Sequence, residues 1–209
     1  STPAVILFTG DMVNLSPDEL EPFVNVLSRL NAPDGVFSIM GNHDYLGYAH
    51  YNSPGEQEVQ QRRLIGMERS AGMDLLLNEN RIIRHGCDSI ALIGVENDGR
   101  PPFPERGDLT KSQAGLPSGI FKVLMSHDPT HWRRKVQPDT DIELTLSGHT
   151  HAMQFRIGNF SPSMFLYNEW GGLYSEGERR LFVSTGTGGN IAYRWGAWPE
   201  IDVLVLRRK

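Results

Sequence analysis

The chain has 209 residues, a formal net charge of −5 and 39% hydrophobic residues. These values describe an ordinary globular chain, and its length is ample for a sizeable core in a single domain covering residues 1–209. The acidic balance gives no indication of a nucleic acid partner, and no stretch approaches the ~20 apolar residues of a membrane span. The single cysteine, Cys87, excludes an internal disulfide, and its position beside an apolar run predicts a buried small side chain.

Strands and helices alternate in the first half of the chain. An apolar run at residues 5–8 predicts a strand. Ser16, with Pro17 and Glu19 after it, forms a capping box that predicts a helix running to just before Pro33. A second strand is expected at residues 36–40 and a second helix at about 56–71.

The second half of the chain is dominated by predicted strands. Residues 96–119 are rich in glycine, proline and charge, so they predict a long loop with one short helix. The strands expected on either side of this loop are 81–85, 89–95, 121–125, 142–146, 181–184 and 202–206.

Four short polar segments each follow one of the predicted apolar strands. The carboxyl end of a strand in an α/β sheet is where ligands bind, and oxygen and imidazole donors collected there suit Mn, Fe or Zn. The four segments are Gly10-Asp11, Gly41-Asn42-His43-Asp44, Ser126-His127-Asp128 and Gly148-His149-Thr150-His151.

This ordered set resembles the calcineurin-like metallophosphoesterases. Their pattern is Asp-x-His, Gly-Asp, Gly-Asn-His-Asp or Glu, a lone His, and Gly-His-x-His, and four of these five blocks are present. The resemblance is closest to bacterial single-domain, membrane-linked phosphoesterases. It implies an α/β fold in which two packed β-sheets are flanked by helices, a four-layer αββα sandwich.

The resemblance also implies two divalent metal ions, Mn, Fe or Zn, and their ligands. Asp11 matches the carboxylate that bridges both ions, since its two oxygens can each reach one of them. Asn42, His127 and His149 match the remaining ligands of one ion, and His151 matches a ligand of the other. The alternative is that Asp11 is a turn residue and that the three histidines have structural roles.

His43 and Asp44 match the family's catalytic pair. By resemblance, His43 donates a proton to the leaving oxygen or stabilises the phosphate, a task that suits a group titrating near neutrality. Asp44 is expected to orient the imidazole and fix its tautomer. The structural alternative for Asp44 is a helix cap.

The opening Asp-x-His block of the family is absent. The chain begins Ser1-Thr2-Pro3 and enters the strand before Gly10-Asp11 directly, so we expect a trimmed chain whose first strand is missing. A natural variant with a reduced site is the alternative. In either case the second metal is expected to be weak or absent, and a lost N-terminal segment leaves open whether the protein is cytoplasmic or membrane-associated.

The expected activity is hydrolysis of a phosphomonoester or phosphodiester by a metal-activated hydroxide, on a small molecule or lipid head group. The alternatives are a nucleotide or pyrophosphate hydrolase of the same superfamily and a catalytically reduced metal-binding scaffold. His50, His85 and His131 match no block and are interpreted as surface or packing residues. Asn97-Asp98 is a weaker candidate for the rim of the site. The aromatic C-terminal third is interpreted as packing, with an apolar wall for substrate as the alternative.

Overall fold

The computed structural model describes residues 3–207, and its first three strands form a parallel sheet. Strand β1 (Ile6–Phe8) pairs with β2 (Val36–Ser38), which pairs with β3 (Asp74–Leu75). In this part of the chain β1 is an edge strand with β2 as its neighbour. Ser1 and Thr2, on which the expectation of a trimmed start rests, lie outside the described residues.

A second sheet has six strands in the order β4-β5-β6-β7-β9-β8. Its centre, from β5 to β9, is parallel, and antiparallel pairs close both edges. The strands are β4 (Glu79–His85), β5 (Asp88–Gly94), β6 (Phe121–Met125), β7 (Leu144–Ser147), β8 (Gly172–Glu176) and β9 (Arg179–Val183).

The two sheets pack against each other through an apolar layer. Phe37 and Ile39, from β2 and the residue after it, share one buried cluster with Leu92, Val123 and Leu146 of the second sheet. Burial of this layer supplies the main driving force that holds the sheets face to face.

Helices cover the outer faces of both sheets. Helix α2 (Pro54–Ser70) packs on the first sheet, where Ile65 joins a cluster with Leu75. On the other side, Trp132 of a π-helical turn, Trp132–Val136, packs on the second sheet with Leu124. Two sheets between helices confirm the predicted α/β sandwich.

The expected helix after Ser16 exists only in pieces. The capping box between Ser16 and Glu19 is confirmed, but it opens a 3₁₀ turn, Pro17–Glu19, followed by a second turn, Glu21–Phe23, and by α1 (Val24–Leu27). The prediction of one continuous helix is therefore wrong. A proline inside a helix removes a hydrogen bond and clashes with the preceding turn, and Pro22 lies at this break.

The long loop after β5 contains one short helix in the described chain, α3 (Leu109–Ser112), as predicted. Helix α4 (Gln137–Asp139) follows the π-helical turn. None of the helices in residues 3–207 has the length and apolar composition needed to cross a bilayer.

Two sequence predictions fail at exposed positions. Residues 202–206 form no strand, since no described strand lies beside them to complete a ladder, and Ile201 and Val203 are 86% and 78% exposed. Cys87 is exposed rather than buried, because it lies in the turn between β4 and β5, away from the apolar layer.

Candidate metal centre

The four polar segments follow β1, β2, β6 and β7, so the two sheets each contribute two loops. Asp11 and Asn42 come from the first sheet, and His127 and His149 come from the second. Because β1 and β2 are parallel, as are β6 and β7, each pair of loops leaves its sheet at the same edge. The packing of the sheets brings both pairs together.

The Asp44 side chain connects the two loops that follow β1 and β2. Its fully buried carboxylate accepts hydrogen bonds from the backbone N–H groups of Asp11, Met12 and Gly41 at 2.8 Å and of Val13 at 3.4 Å. Four donors converging on one carboxylate compensate much of its desolvation. The loops that carry Asp11 and Asn42 are therefore fixed to each other through this side chain.

The same two loops approach so closely that glycine is required. A Cβ atom on Gly41 would lie 2.2 Å from Asp11 Oδ1, and one on Gly10 would lie 2.5 Å from the Gly41 nitrogen. Asp11 has a φ of 57° and His149 a φ of 71°, a region in which non-glycine residues are uncommon. Such backbone conformations cluster at functional sites, where the surrounding structure holds them in place.

Three side-chain atoms converge on Nε2 of the His127 ring. Nε2 of His127 lies 3.0 Å from Asp11 Oδ2, 3.2 Å from Asn42 Oδ1 and 3.2 Å from His149 Nδ1. One ligand atom from each of Asp11, His127 and His149 lies within 4.8 Å of the other two. Ligands bound at 2.0–2.1 Å in a tetrahedral shell lie about 3.3–3.4 Å apart, so these separations are close to those of a coordination shell.

Outer contacts turn each of these atoms toward the centre. His127 Nδ1 lies 2.7 Å from the Thr9 carbonyl oxygen, so Nε2 is the ring nitrogen that faces the cluster. The Asn42 amide donates to the Tyr48 hydroxyl at 2.8 Å, so Oδ1 faces His127. His149 Nε2 lies 2.8 Å from the Tyr167 hydroxyl.

A cluster of lone pairs this close needs a positive charge in its centre. Although burial opposes protonation of His127, the Asp11 carboxylate and the Thr9 carbonyl raise the pKa of this ring to about 9. Burial raises the pKa of Asp11, but the opposing charge of His127 outweighs it and holds that pKa below its usual range. Burial and the neighbouring His127 lower the pKa of His149 to about 4. The set of one carboxylate, one amide oxygen and two imidazoles fits a divalent transition metal.

His151 lies apart from this cluster. Its Nδ1 is 3.1 Å from the Thr185 carbonyl oxygen, so Nε2 keeps its lone pair. Burial lowers the pKa of His151, which keeps the ring neutral. A described donor set comparable to that around His127 does not form around His151.

The structure places His43 beside the cluster, and its ring contacts a backbone carbonyl rather than the Asp44 carboxylate. His43 Nδ1 contacts the Asn14 carbonyl oxygen at 2.8 Å, and the ring lies 4.5 Å from that of Tyr48. The Asp44 carboxylate instead binds backbone N–H groups, and burial together with the charge of Asp11 raises its pKa to about 7. Asp44 therefore stabilises the two loops through their backbone N–H groups, whereas a backbone carbonyl orients His43.

Two tyrosines at the site have no signature in the sequence. Tyr48 lies four residues after Asp44 and belongs to none of the four motif segments. Tyr167 lies 18 residues beyond His149, in a region interpreted as packing, so no local pattern could reveal it.

The remaining histidines have the surface or packing positions that were expected. His50 and His85 are exposed, and His131 is fully buried, with its Nδ1 2.8 Å from the Ser126 hydroxyl. Asp98 is also fully buried, where it pairs with Arg134 and Lys135, so it does not form an exposed rim.

Much of the aromatic C-terminal third is exposed, so packing does not account for it. Tyr193, Trp195 and Trp198 are each more than half exposed, and Phe165 is 75% exposed. The packing interpretation is wrong for these four side chains.

A model of the calcineurin-like phosphoesterase family matches residues 1–153. The chain is 29% identical to the uncharacterized metallophosphoesterase YkuE of Bacillus subtilis, covering 99% of this chain and 69% of that protein. It is 27% identical to the phosphodiesterase YaeI of Escherichia coli, covering 98% of this chain and 70% of that protein. It is 28% identical to the transmembrane protein with metallophosphoesterase domain of Bos taurus, covering 98% of this chain but 46% of that protein.

A solved structure supports the fold. The sulfate thiohydrolase SoxB of Thermus thermophilus, in complex with glycerol, superposes with a TM-score of 0.52 at 18% sequence identity. The match covers 86% of this chain and 33% of that chain.

Proposed function

Since this chain belongs to the calcineurin-like phosphoesterase family, we propose that it hydrolyses a phosphomonoester or phosphodiester of a small molecule or lipid head group. Membership of this family supports hydrolysis of phosphoesters in general, as do relatives named metallophosphoesterase and phosphodiesterase. The chain spans 52% of the Campylobacter jejuni metallophosphoesterase Cj0846 and 46% of the bovine transmembrane relative. The activities and substrates of those longer proteins are therefore not carried over to this chain.

The observation that carries this proposal is the convergence on His127. Its Nε2 lies within 3.2 Å of ligand atoms from Asp11, Asn42 and His149. These four residues would hold one divalent ion. Asp11 and His151 would contribute to another. When bound, such ions neutralise phosphate oxygens and make a coordinated water acidic near neutral pH.

His43 is placed to manage a proton at the leaving oxygen. The backbone N–H of His43 donates to Asp11 Oδ1 at 2.9 Å, which ties the residue to the donor cluster. Because Nδ1 is occupied by the Asn14 carbonyl, Nε2 is the ring nitrogen left to face a substrate. A positioned acid of this kind contributes about 10²–10⁴-fold to the rate.

A catalytically reduced metal-binding scaffold is the second candidate, and one observation favours it. Asp11 and His151 are the two residues of the described chain assigned to the second ion, and His151 stands outside the cluster. With few protein donors, water must complete that shell. We therefore expect the 209-residue chain to hold one ion tightly and the other weakly.

The test combines metal analysis with a substrate panel. Metal-stripped protein is assayed with Mn, Fe, Zn or Mg against phosphomonoesters, phosphodiesters, nucleotides and pyrophosphate. We expect one tightly bound equivalent, and hydrolysis that appears only with added metal. The variant His127→Gln should lose both, while His50→Gln, at an exposed position, should lose neither.

The outcomes separate the two candidates. Full activity in the metal-stripped protein would contradict the hydrolase proposal. Tight binding of one ion with no hydrolysis across the panel would instead support the scaffold. Two tightly bound ions would show that further ligands complete the second shell.

A further inference from the structure

The ring of His149 is held at both of its nitrogens. Nδ1 faces His127 Nε2 at 3.2 Å, and Nε2 faces the Tyr167 hydroxyl at 2.8 Å. A neutral imidazole carries a single N–H, so the contact at one nitrogen decides whether the other has a lone pair. His149 can give Nδ1 to a metal only if Nε2 keeps the proton.

Asp128 lies on the same side of His149 as Tyr167. Its Oδ1 accepts the backbone N–H of Thr130 at 2.8 Å. Its Oδ2 is buried without a hydrogen-bond partner in the described chain and lies 3.8 Å from His149 Nε2. A buried carboxylate oxygen left without a donor is unusual. At this distance its negative charge favours the proton on Nε2.

Three aromatic rings surround His149 and restrict its rotation. His127, Phe103 and Tyr167 make edge contacts with centroid distances of 5.0, 4.8 and 5.5 Å. A ring flip that exchanged Nδ1 with Nε2 would have to displace these side chains. The tautomer, rather than the rotamer, is therefore the remaining freedom of the ring.

The segment before Tyr167 is itself fixed. The backbone N–H of Tyr167 donates to the Ser163 carbonyl at 2.8 Å, and the buried Ser161 hydroxyl donates to the Ala152 carbonyl at 2.7 Å. These bonds tie the Tyr167 segment to the loop that carries His149 and His151. The hydroxyl position is thus set by the fold.

We propose that Tyr167 is a positioning residue. Together with Asp128, it holds His149 in the Nε2–H tautomer and so presents Nδ1 to the metal. The Tyr167 hydroxyl oxygen accepts a hydrogen bond from Nε2–H, and Asp128 supplies the charge that favours this arrangement. This inference rests on the proposed metal-dependent function. Partners of this kind typically contribute 10–100-fold to metal affinity.

The first experiment measures the tautomer directly. Long-range ¹H–¹⁵N correlation spectra of metal-free, ¹⁵N-histidine-labelled protein distinguish Nε2–H from Nδ1–H. We expect His149 to be Nε2–H in the unmodified protein, and a mixture of tautomers in Tyr167→Phe. In Asp128→Asn, an amide N–H near Nε2 should shift the population toward Nδ1–H. An unchanged Nε2–H signal in both variants would overturn the proposal.

The second experiment measures metal affinity by competition with a chromogenic chelator. Tyr167→Phe should weaken Mn or Zn binding about 10–100-fold at unchanged thermal stability. The matched control is Tyr174→Phe, because the Tyr174 hydroxyl accepts N–H groups of Trp170 and Gly171 in the same segment without contacting a ligand. An equal loss in the control would mean that the segment, and not the hydroxyl on His149, sets the affinity, and would overturn the proposal.

Substrate kinetics separate positioning from direct substrate contact. If Tyr167→Phe raised KM while the tautomer and metal affinity stayed unchanged, Tyr167 would be a substrate contact and the proposal would fail. The tautomer measurement requires neither metal nor turnover. A protein that bound no metal would refute the proposed function, and the tautomer spectra would still decide the role of Tyr167.

Discussion

Two fully buried aspartates lie near the site, and they are neutralised in different ways. Asp44 receives four backbone N–H groups, and no cationic side chain among residues 3–207 is bonded to it. Asp98 pairs with Arg134 at 2.6 Å and with Lys135 at 2.7 Å. Backbone dipoles therefore stabilise the carboxylate of Asp44, whereas full positive charges stabilise that of Asp98.

Asp44 contacts the donor cluster through the backbone N–H of Asp11, whereas Asp98 is bound by the side chains of Arg134 and Lys135. A lysine or arginine beside Asp44 would also neutralise Asp11 and repel a bound metal. Backbone donors hold the loops without adding a competing charge. The loop at residues 97–106 carries Phe103 against His149, and its Asp98 is paired with the cationic side chains of Arg134 and Lys135. The negative charge of Asp11 therefore stays available for an ion.

The largest effect should come from Asp44→Asn. The amide retains one oxygen but directs an N–H toward backbone N–H donors, so two or more of them lose their partner. We expect a loss of about 2–5 kcal/mol in the free energy of unfolding and more than about 100-fold weaker metal binding. Urea denaturation and metal titration measure these. Asp139→Asn, at an exposed position, is the control, and unchanged metal affinity in folded Asp44→Asn would contradict the role of Asp44.

The second prediction concerns the side chain next to Asp44 that faces outward. His43→Ala should lower turnover about 10²–10⁴-fold while metal content stays constant, because His43 is not part of the donor cluster. The loss should shrink for nitrophenyl esters, whose leaving group needs no proton. Measuring kcat with good and poor leaving groups, with His50→Ala as control, checks this. An equal loss for both would mean that His43 positions phosphate instead.

The third prediction addresses the cation-paired region. Asp98→Asn leaves Arg134 and Lys135 without their carboxylate, but both side chains are partly exposed and can regain water. We therefore expect about 2–3 kcal/mol of destabilisation, less than the upper range for Asp44→Asn, with little change in metal affinity. Glu105→Gln removes the exposed member of the same ion-pair network and should cost about 0–1 kcal/mol. Equal effects of the two variants would show that burial of Asp98 contributes nothing.

The last prediction is a pH dependence of stability that comes from the buried Glu68 carboxyl group. Burial and the charge of Asp44 raise the pKa of Glu68 to about 8 from 4.5. Since its pKa is higher in the folded than in the unfolded state, its contribution to stability is complete below pH ~4.5 and is lost as pH rises through ~8.

Glu68→Gln should remove this dependence. The amide oxygen can still accept the Ser38 hydroxyl, which donates to Glu68 at 2.7 Å. We expect the variant to gain on the order of 1–2 kcal/mol over the unmodified protein at pH 9 and almost nothing at pH 4.5. Unfolding curves at both pH values measure this, and an identical pH slope in the two proteins would contradict it.

The sequence predicted the site best where polar residues directly follow an apolar strand. Asp11, Asn42, His127 and His149 each follow an apolar strand, and strand ends gather at one edge of a sheet. Their convergence could therefore be anticipated from residue type and position alone. His151 shares the motif of His149, yet its backbone turns it toward Thr185, which residue types do not encode.

Other features depend on contacts between distant parts of the chain. The partner of His43 is a backbone carbonyl, that of Asn14, which any residue could provide. Tyr167 reaches His149 only through tertiary structure. The strand expected at residues 202–206 has the right composition, but a strand forms only where a neighbour completes its hydrogen bonds, and the described chain supplies none.

The donor cluster takes two side chains from each sheet, and this gives the metal a mechanical role. Asp11 and Asn42 would hold an ion from the first sheet, and His127 and His149 would hold it from the second. The ion would then link the two sheets at one end of their shared apolar layer. A ligand that binds only the native state adds about 2.7 kcal/mol at 100 times its Kd. Sliding of one sheet along the other would then be opposed by the ion, so that loss of metal would loosen the sandwich as well as the site.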